Sequence, residues 1–278
     1  MFIPLIDSIL EADSAMGLGR RFTLSTVLIP AIAMAAICVG SAVHADQAAE
    51  YWQKGEDLYE TYNLAPDRFD KALEWYEKAI ALRQNDYELL WELSKRYQIY
   101  GQTLGGDQKK QKIEHWKKGV EYGRRAVKVN PHGKEGHFYF MANRGAISQI
   151  RGTLTSLWKF RKIKIEMDRT LEIAPNYPPA LLARAEYLRE MPGVFGGDKQ
   201  EAMRLCERVL EMDPDHLPSY VTMARLLAGE GRYDEAVVNL NKVLLCEEPR
   251  QEANYLKVDR PRAEAVLEDI KREKSRTR

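Results

Sequence analysis

Leu217 to Cys246 reads LPSYVTMARLLAGEGRYDEAVVNLNKVLLC, and its spacing decides the fold. Tyr220, Met223, Ala224 and Leu227 recur at i, i+3, i+4 and i+7, a stripe along one helix face. Gly229, Glu230 and Gly231 interrupt the period, Asp234 is placed to cap a second helix, and Ala236, Leu240 and Val243 lay a second stripe opposite the first. Ala224 and Ala236 are small where two helix axes would cross; a larger side chain there would push the pair apart at about 1–3 kcal/mol. The stretch is a close antiparallel hairpin.

The second-helix spacing, small-x3-bulky-x2-small-x4-Pro, recurs as Gly119, Gly123, Ala126, Pro131 and as Ala202, Cys206, Val209, Pro214, with looser copies at Ile163, Met167, Thr170, Pro175 and at Ala72, Tyr76, Ala79. In this the chain resembles the tetratricopeptide repeat family, whose helix-turn-helix units of about 34 residues stack into a solenoid. Pro131, Pro175 and Pro214 lie 44 and 39 residues apart, so the earlier repeats carry inserted loops. The expected fold is all-α, an α-solenoid of about five such repeats over residues 46–249. A C-terminal capping helix and basic tail (250–278) follow, with Ala263, Val266, Leu267 and Ile270 on one face.

Of the 278 residues, 45% are hydrophobic and 30% charged, which suits a folded soluble protein. Arg20 and Arg21 precede the uncharged run Phe22–Gly40, and Val43-His44-Ala45 offers small residues for cleavage. Residues 1–45 are therefore expected to be a secretory signal, with Met16 the more ordinary start, and the mature chain to be periplasmic. Two alternatives stay open, a retained membrane anchor and a lipoprotein through Cys38. Cys206 and Cys246 are expected to be separate thiols.

Leu104-Gly105-Gly106-Asp107 and Phe195-Gly196-Gly197-Asp198 are near copies. In each, an apolar residue is expected to pin the loop, the glycines to take positive φ and the aspartate to cap the following helix. No strand precedes them and no Lys-Ser/Thr follows, which excludes a phosphate loop. Met191-Pro192, the Phe-Gly-Gly-Asp-x3-Ala run ending at Ala202, and Leu210-Glu211-Met212-Asp213-Pro214 resemble the group that holds the periplasmic T-component proteins associated with TRAP transporters and the eukaryotic regulators of microtubule dynamics. That resemblance covers roughly residues 133–243 and implies accessory work in solute uptake, with an organic-acid or apolar ligand.

Catalytic patterns are missing: no His-Glu-x2-His array and no Gly-x-Ser-x-Gly elbow occurs, and no catalytic residue, metal or cofactor is expected. His132 and His137 flank a turn and are expected to be solvated. Charge is uneven. Residues 101–165 hold 15 Lys and Arg against four Asp and Glu, a net of +11, whereas 46–100 hold seven against twelve and 166–278 hold 18 against 22. Export argues against nucleic acid as the target of that basic middle.

The first helices of stacked repeats line a concave groove. Aligned on their small residues, they aim Trp52, Glu56 and Tyr59 into it, then Trp91, Lys95 and Gln98, then Tyr139, Asn143 and Ile147, then Leu182, Glu186 and Arg189, and last Val221 and Arg225. Aromatic rings beside cations and amides make a recognition surface, although Trp52 and Trp91 equally suit burial between repeats. The resulting expectation is a non-enzymatic exported scaffold or adaptor that binds a partner protein or peptide, a transporter component among the candidates, and meets a membrane only through an uncleaved signal.

Overall fold

A computed structural model describes residues 44–150 and 157–276, the side chains of 157–161 excepted. The run Phe22–Gly40, Cys38 and the insertion near Gly152 lie outside the described residues. Contacts divide the chain into Met1–Asp46 and Gln47–Arg278, and the repeats lie in the second unit.

That unit is built of helix pairs: α1 (residues 47–59) with α2 (Arg68–Leu82), α3 (Tyr87–Thr103) with α4 (Lys109–Val129), α5 (Lys134–Ile150) with α6 (Leu157–Ile173), α7 (Pro178–Glu190) with α8 (Lys199–Met212), and α9 (Leu217–Ala228) with α10 (Tyr233–Leu244). Asp86 starts α3 by accepting from the Leu89 amide at 3.1 Å, and Asp198 starts α8 by accepting from the Glu201 amide at 2.9 Å. Pro178 and Pro218 open α7 and α9, where a missing N–H costs no helical bond. Successive first helices touch, α3 with α5, α5 with α7 and α7 with α9, while successive second helices barely do, so the row curves with the first helices inside.

The stripes read from sequence become the core. Ala224 and Ala236 are fully buried where α9 and α10 cross, among Val209, Leu226, Leu240 and Val243. Between α4 and α5 the approach is closer still: a Cβ on Gly123 would come within 2.8 Å of the Phe140 Cα. Gly119 faces Asn143 in the same way, and the Asn143 amide donates to the Ser94 carbonyl at 3.1 Å and the Tyr139 carbonyl at 2.8 Å, while Ser94 Oγ donates to the Gly119 carbonyl at 2.8 Å. Three helices are thus tied at one buried point.

Several turn assignments need correction. Phe195 does not pin its loop: it and Val194 stand 54% and 88% exposed on a 3-10 turn, Gly193–Phe195. That loop is held by its backbone, with the Asp198 amide donating to the Leu188 carbonyl at 3.1 Å. Gly196 alone of the two pairs takes a positive φ, +86°; Gly197 is required because a Cβ there would strike the Met191 carbonyl. In the first copy Gly105 and Gly106 have no positive φ, and Asp107 does not cap α4, whose preceding residue is Gln108. Leu104 does pack inward, against the aromatic cluster of the first repeats. Asp234 caps nothing and instead pairs with Lys274 at 2.6 Å, inside the first turn of α10. His137, expected in solvent, is buried between α5 and α6; it bonds Glu166 at 2.7 Å and the Pro131 carbonyl at 3.0 Å, and the Glu166 carboxylate raises its pKa.

The C-terminal helix departs furthest from expectation. A short helix at Glu252–Asn254 and a π-helical turn at Tyr255–Asp259 run into α11 (Arg260–Arg276). Ala263, Val266 and Ile270 cover the last repeat, as an end cap should. The π turn, however, touches α3, and Ala253 joins the core of the first two repeats. Curvature brings the two ends of the row near each other, and the chain bridges them. Among the described residues no helix is long and apolar enough to cross a membrane, and Cys206 and Cys246 are unlinked.

The concave face as candidate binding site

Three groups of side chains occupy the inner face. In the first, Arg96 of α3 is only 5% exposed; its Nη2 donates to Glu56 at 2.8 and 3.1 Å, and its guanidinium lies over the Tyr59 ring, 3.8 Å from the centroid. Tyr76 donates to the same Glu56 carboxylate at 2.8 Å, and the Trp52 ring rests 4.4 Å from that of Tyr76. In the second, Trp91 stacks on Tyr139 at 5.9 Å with planes 7° apart, its indole N–H spent on Glu88 at 2.7 Å. Lys95 leans on Glu92 at 3.5 Å, and burial lowers its pKa. In the third, Glu186 accepts from Arg189 and Thr222, each at 2.7 Å, with Arg225 at 3.5 Å. Burial pushes the Glu186 carboxyl up, and Arg189 and Arg225 overcome it to hold the group below the usual glutamate value.

Glu56, Trp52, Trp91, Lys95 and Tyr139 lie along the first helices, and Glu186, Arg189 and Arg225 form one cluster, whereas Tyr59, expected in the groove, is only 4% exposed in the core of the first repeats. Asn143 is fully buried in the knot with Ser94, and Val221 is buried in the last repeat's core. Ile147 is half-buried on α5.

Between the second and third groups opens a cleft of about 470 Å³. Phe138, Met141 and Ala142 of α5, Met167 of α6 and Leu182 of α7 form an apolar floor, with Gln98 and Glu186 on its walls. Trp116 of α4 reaches it because Gly101 leaves a slot in α3, and the indole N–H donates to the Gln98 carbonyl at 3.1 Å. Gly101, a glycine inside the last turn of α3, is the sequence signal for this. Lys112 and Arg262 also line the cleft, and among the described residues neither has an acidic partner within salt-bridge distance. Burial and the nearby Arg262 charge lower the Lys112 pKa; burial lowers that of Arg262. Lys112 and Arg262 thus stand beside an apolar floor, with the Asp259 and Glu186 carboxylates opposing the effect of burial on Arg262. Arg262 was out of reach of sequence reasoning, because nothing local shows that α11 returns to the groove.

Helix pairs stacked in a curved row define a tetratricopeptide repeat solenoid. A tetratricopeptide repeat model matches residues 197–257. The model for regulator of microtubule dynamics protein 1-3 matches residues 46–191, more than half of the sequence, and the chain belongs to that family. The solved TTC0263, a thermophilic TPR protein of Thermus thermophilus, has a TM-score of 0.56 at 20% identity and covers 79% of this chain and 98% of its own; it shows the same fold. MamA of Desulfovibrio magneticus RS-1 has a TM-score of 0.44 at 12% identity over 74% of this chain and 98% of its own. No curated protein matches this sequence. None of these matches supports the transporter association.

Proposed function

We propose that the chain is a non-enzymatic scaffold that binds a segment of a partner protein in its concave face, with an apolar side chain in the cleft and an acid at its mouth. The observation that carries this reading is the pairing of an apolar cleft with two cations, Lys112 and Arg262, that among the described residues have no salt-bridge partner. Apart from the adjacent Val194 and Phe195, exposed large apolar residues among the described ones are scattered along the chain. The basic middle of the sequence would speed encounter with an acidic partner and make it salt-sensitive.

The test is retention of a protein by the immobilised chain from extract of its host. Lys112→Glu and Arg262→Gln, singly and together, are expected to cut retention at least tenfold. The Lys112 variant should melt with the wild type, since half-exposed charges contribute little to stability, and the melt of the Arg262 variant is read beside it because that group is buried near Asp259 and Glu186. Equal retention by the double variant sinks the proposal. A second reading, a small organic acid or apolar ligand held in the same cleft, has the cleft's size in its favour. Native mass spectrometry separates the two, because a co-purifying small molecule adds a discrete mass that Lys112→Glu removes.

The scaffold is further proposed to work after export. Mature protein from the host should begin at Asp46; a membrane-bound form still carrying Phe22–Gly40 would show a retained anchor instead.

A further inference from the structure

Residues 245–251 leave the last repeat without forming a helix, and the chain then turns back across the inner face. Ala253 sits in the cluster of Tyr59, Tyr62, Phe69 and Tyr100, while Tyr255 donates to the Val243 carbonyl at 3.0 Å and so belongs with the last repeat. Ala253, together with the π turn that touches α3, holds this segment on the first repeats. Arg250, just before it, is tied only by exposed pairs to Asp213 at 2.6 Å and Asp215 at 3.5 Å.

The fit on the first repeats is poor. A gap of about 320 Å³ remains between Glu56, Tyr59 and Tyr62 and residues 250–254. The hydroxyls of Tyr59 and Tyr62 and the Nε and Nη1 of Arg96 are buried with no hydrogen-bond partner among the described residues, where a matched occupant would supply acceptors. Asp259 is 8% exposed, takes a bond from the Asn254 amide at 3.1 Å, and is pushed by burial up to about 6, so near neutral pH its burial works against docking.

We propose that the concave face of the first two repeats is the docking surface for a helical partner segment bearing a small residue and an acid, and that Gln251–Asp259 is a resident stand-in that this segment displaces. The inference rests on the scaffold reading above and names its partner and its control. A small residue lets a helix backbone lie on Tyr59 and Tyr62, as Ala253 does now. An acid gives the tyrosine hydroxyls, and the Nε and Nη1 of Arg96, acceptors beyond Glu56 and Glu92, which take its Nη2 at 2.8 and 3.5 Å. Displacement leaves Ala263, Val266 and Ile270 in place and costs the last repeat only Tyr255 with its bond to the Val243 carbonyl.

The test uses the full chain, with a fluorescein-labelled peptide of residues 249–262 as probe. In the wild type, amides of 252–258 should exchange at least tenfold faster than those of 266–270; exchange of both in one step overturns the proposal. Ala253→Arg should bind the peptide at least tenfold tighter than the wild type does, and should not bind a Lys-rich helical peptide of equal length. A variant that keeps its melting temperature but binds no better, or binds both peptides alike, overturns it. If Ala253→Arg unfolds, Asp259→Leu decides: it should slow exchange of 252–258 at least threefold, and unchanged exchange overturns the proposal. Failure of the Lys112 and Arg262 variants to lose a partner would remove the scaffold reading without altering any of these results.

Discussion

Gly123→Val should lower the melting temperature by about 6–12 °C. The position lies where α4 and α5 are closest, and its Cβ would meet backbone, the Phe140 Cα at 2.8 Å and amide nitrogen at 2.9 Å, which no rotamer change can relieve. Overpacking of this kind costs about 3 kcal/mol, and each kcal/mol shifts the melt of a chain this size by about 2–4 °C. Gly106→Ala is the matched control, since a Cβ there meets nothing within 4 Å. It should fall within about 0.5 kcal/mol of the wild type in urea. Equal losses for the two would mean that α4 and α5 do not approach as described.

Arg96→Met should cost about 2–3 kcal/mol in the same urea titration. Removing one member of a buried ion pair leaves the other charge without its partner, a loss of about 3–5 kcal/mol when burial is complete. The Glu56 side chain keeps 24% of its exposure, which places the expected loss at or below the low end of that range. Methionine retains most of the packing on Tyr59, so the loss reports on charge. Adding Glu56→Gln should recover at least about 1 kcal/mol, because the nearer of the two stranded carboxylates is then gone and only Glu92, 3.5 Å from Arg96 in the wild type, remains. A double variant whose loss equals the sum of the two single losses would show that Arg96 and Glu56 act independently, contrary to the 2.8 Å contact.

The solenoid was legible because each repeat must bury two stripes against its neighbours, and stripes such as Tyr220–Leu227 and Ala236–Val243 are local facts of spacing. Helix starts at Asp86 and Asp198 follow from the same local chemistry. What escaped were consequences of curvature and of contacts distant in sequence. Asn143 has the register of a groove residue, yet Gly119, 24 positions away, leaves it a niche, and Ser94 gives it partners. His137 has a turn beside it in sequence and Glu166 beside it in space. Phe195 looked like a pin because its loop resembles that of Leu104, but the loop is held by backbone bonds that need no side chain. Arg262 and Ala253 were read as parts of an end cap; only the bend of the whole row brings them to the first repeats.

The concave face as the binding surface is tested most directly by hydrogen exchange of the full chain, alone and with a protein it retains from extract. The account predicts slower exchange along α3, α5 and α7, around Gln98, Ala142 and Leu182, together with faster exchange at 252–258 as the resident segment leaves. Protection confined to α2, α4 and α6, with 252–258 unchanged, would place the partner on the outer face and contradict it.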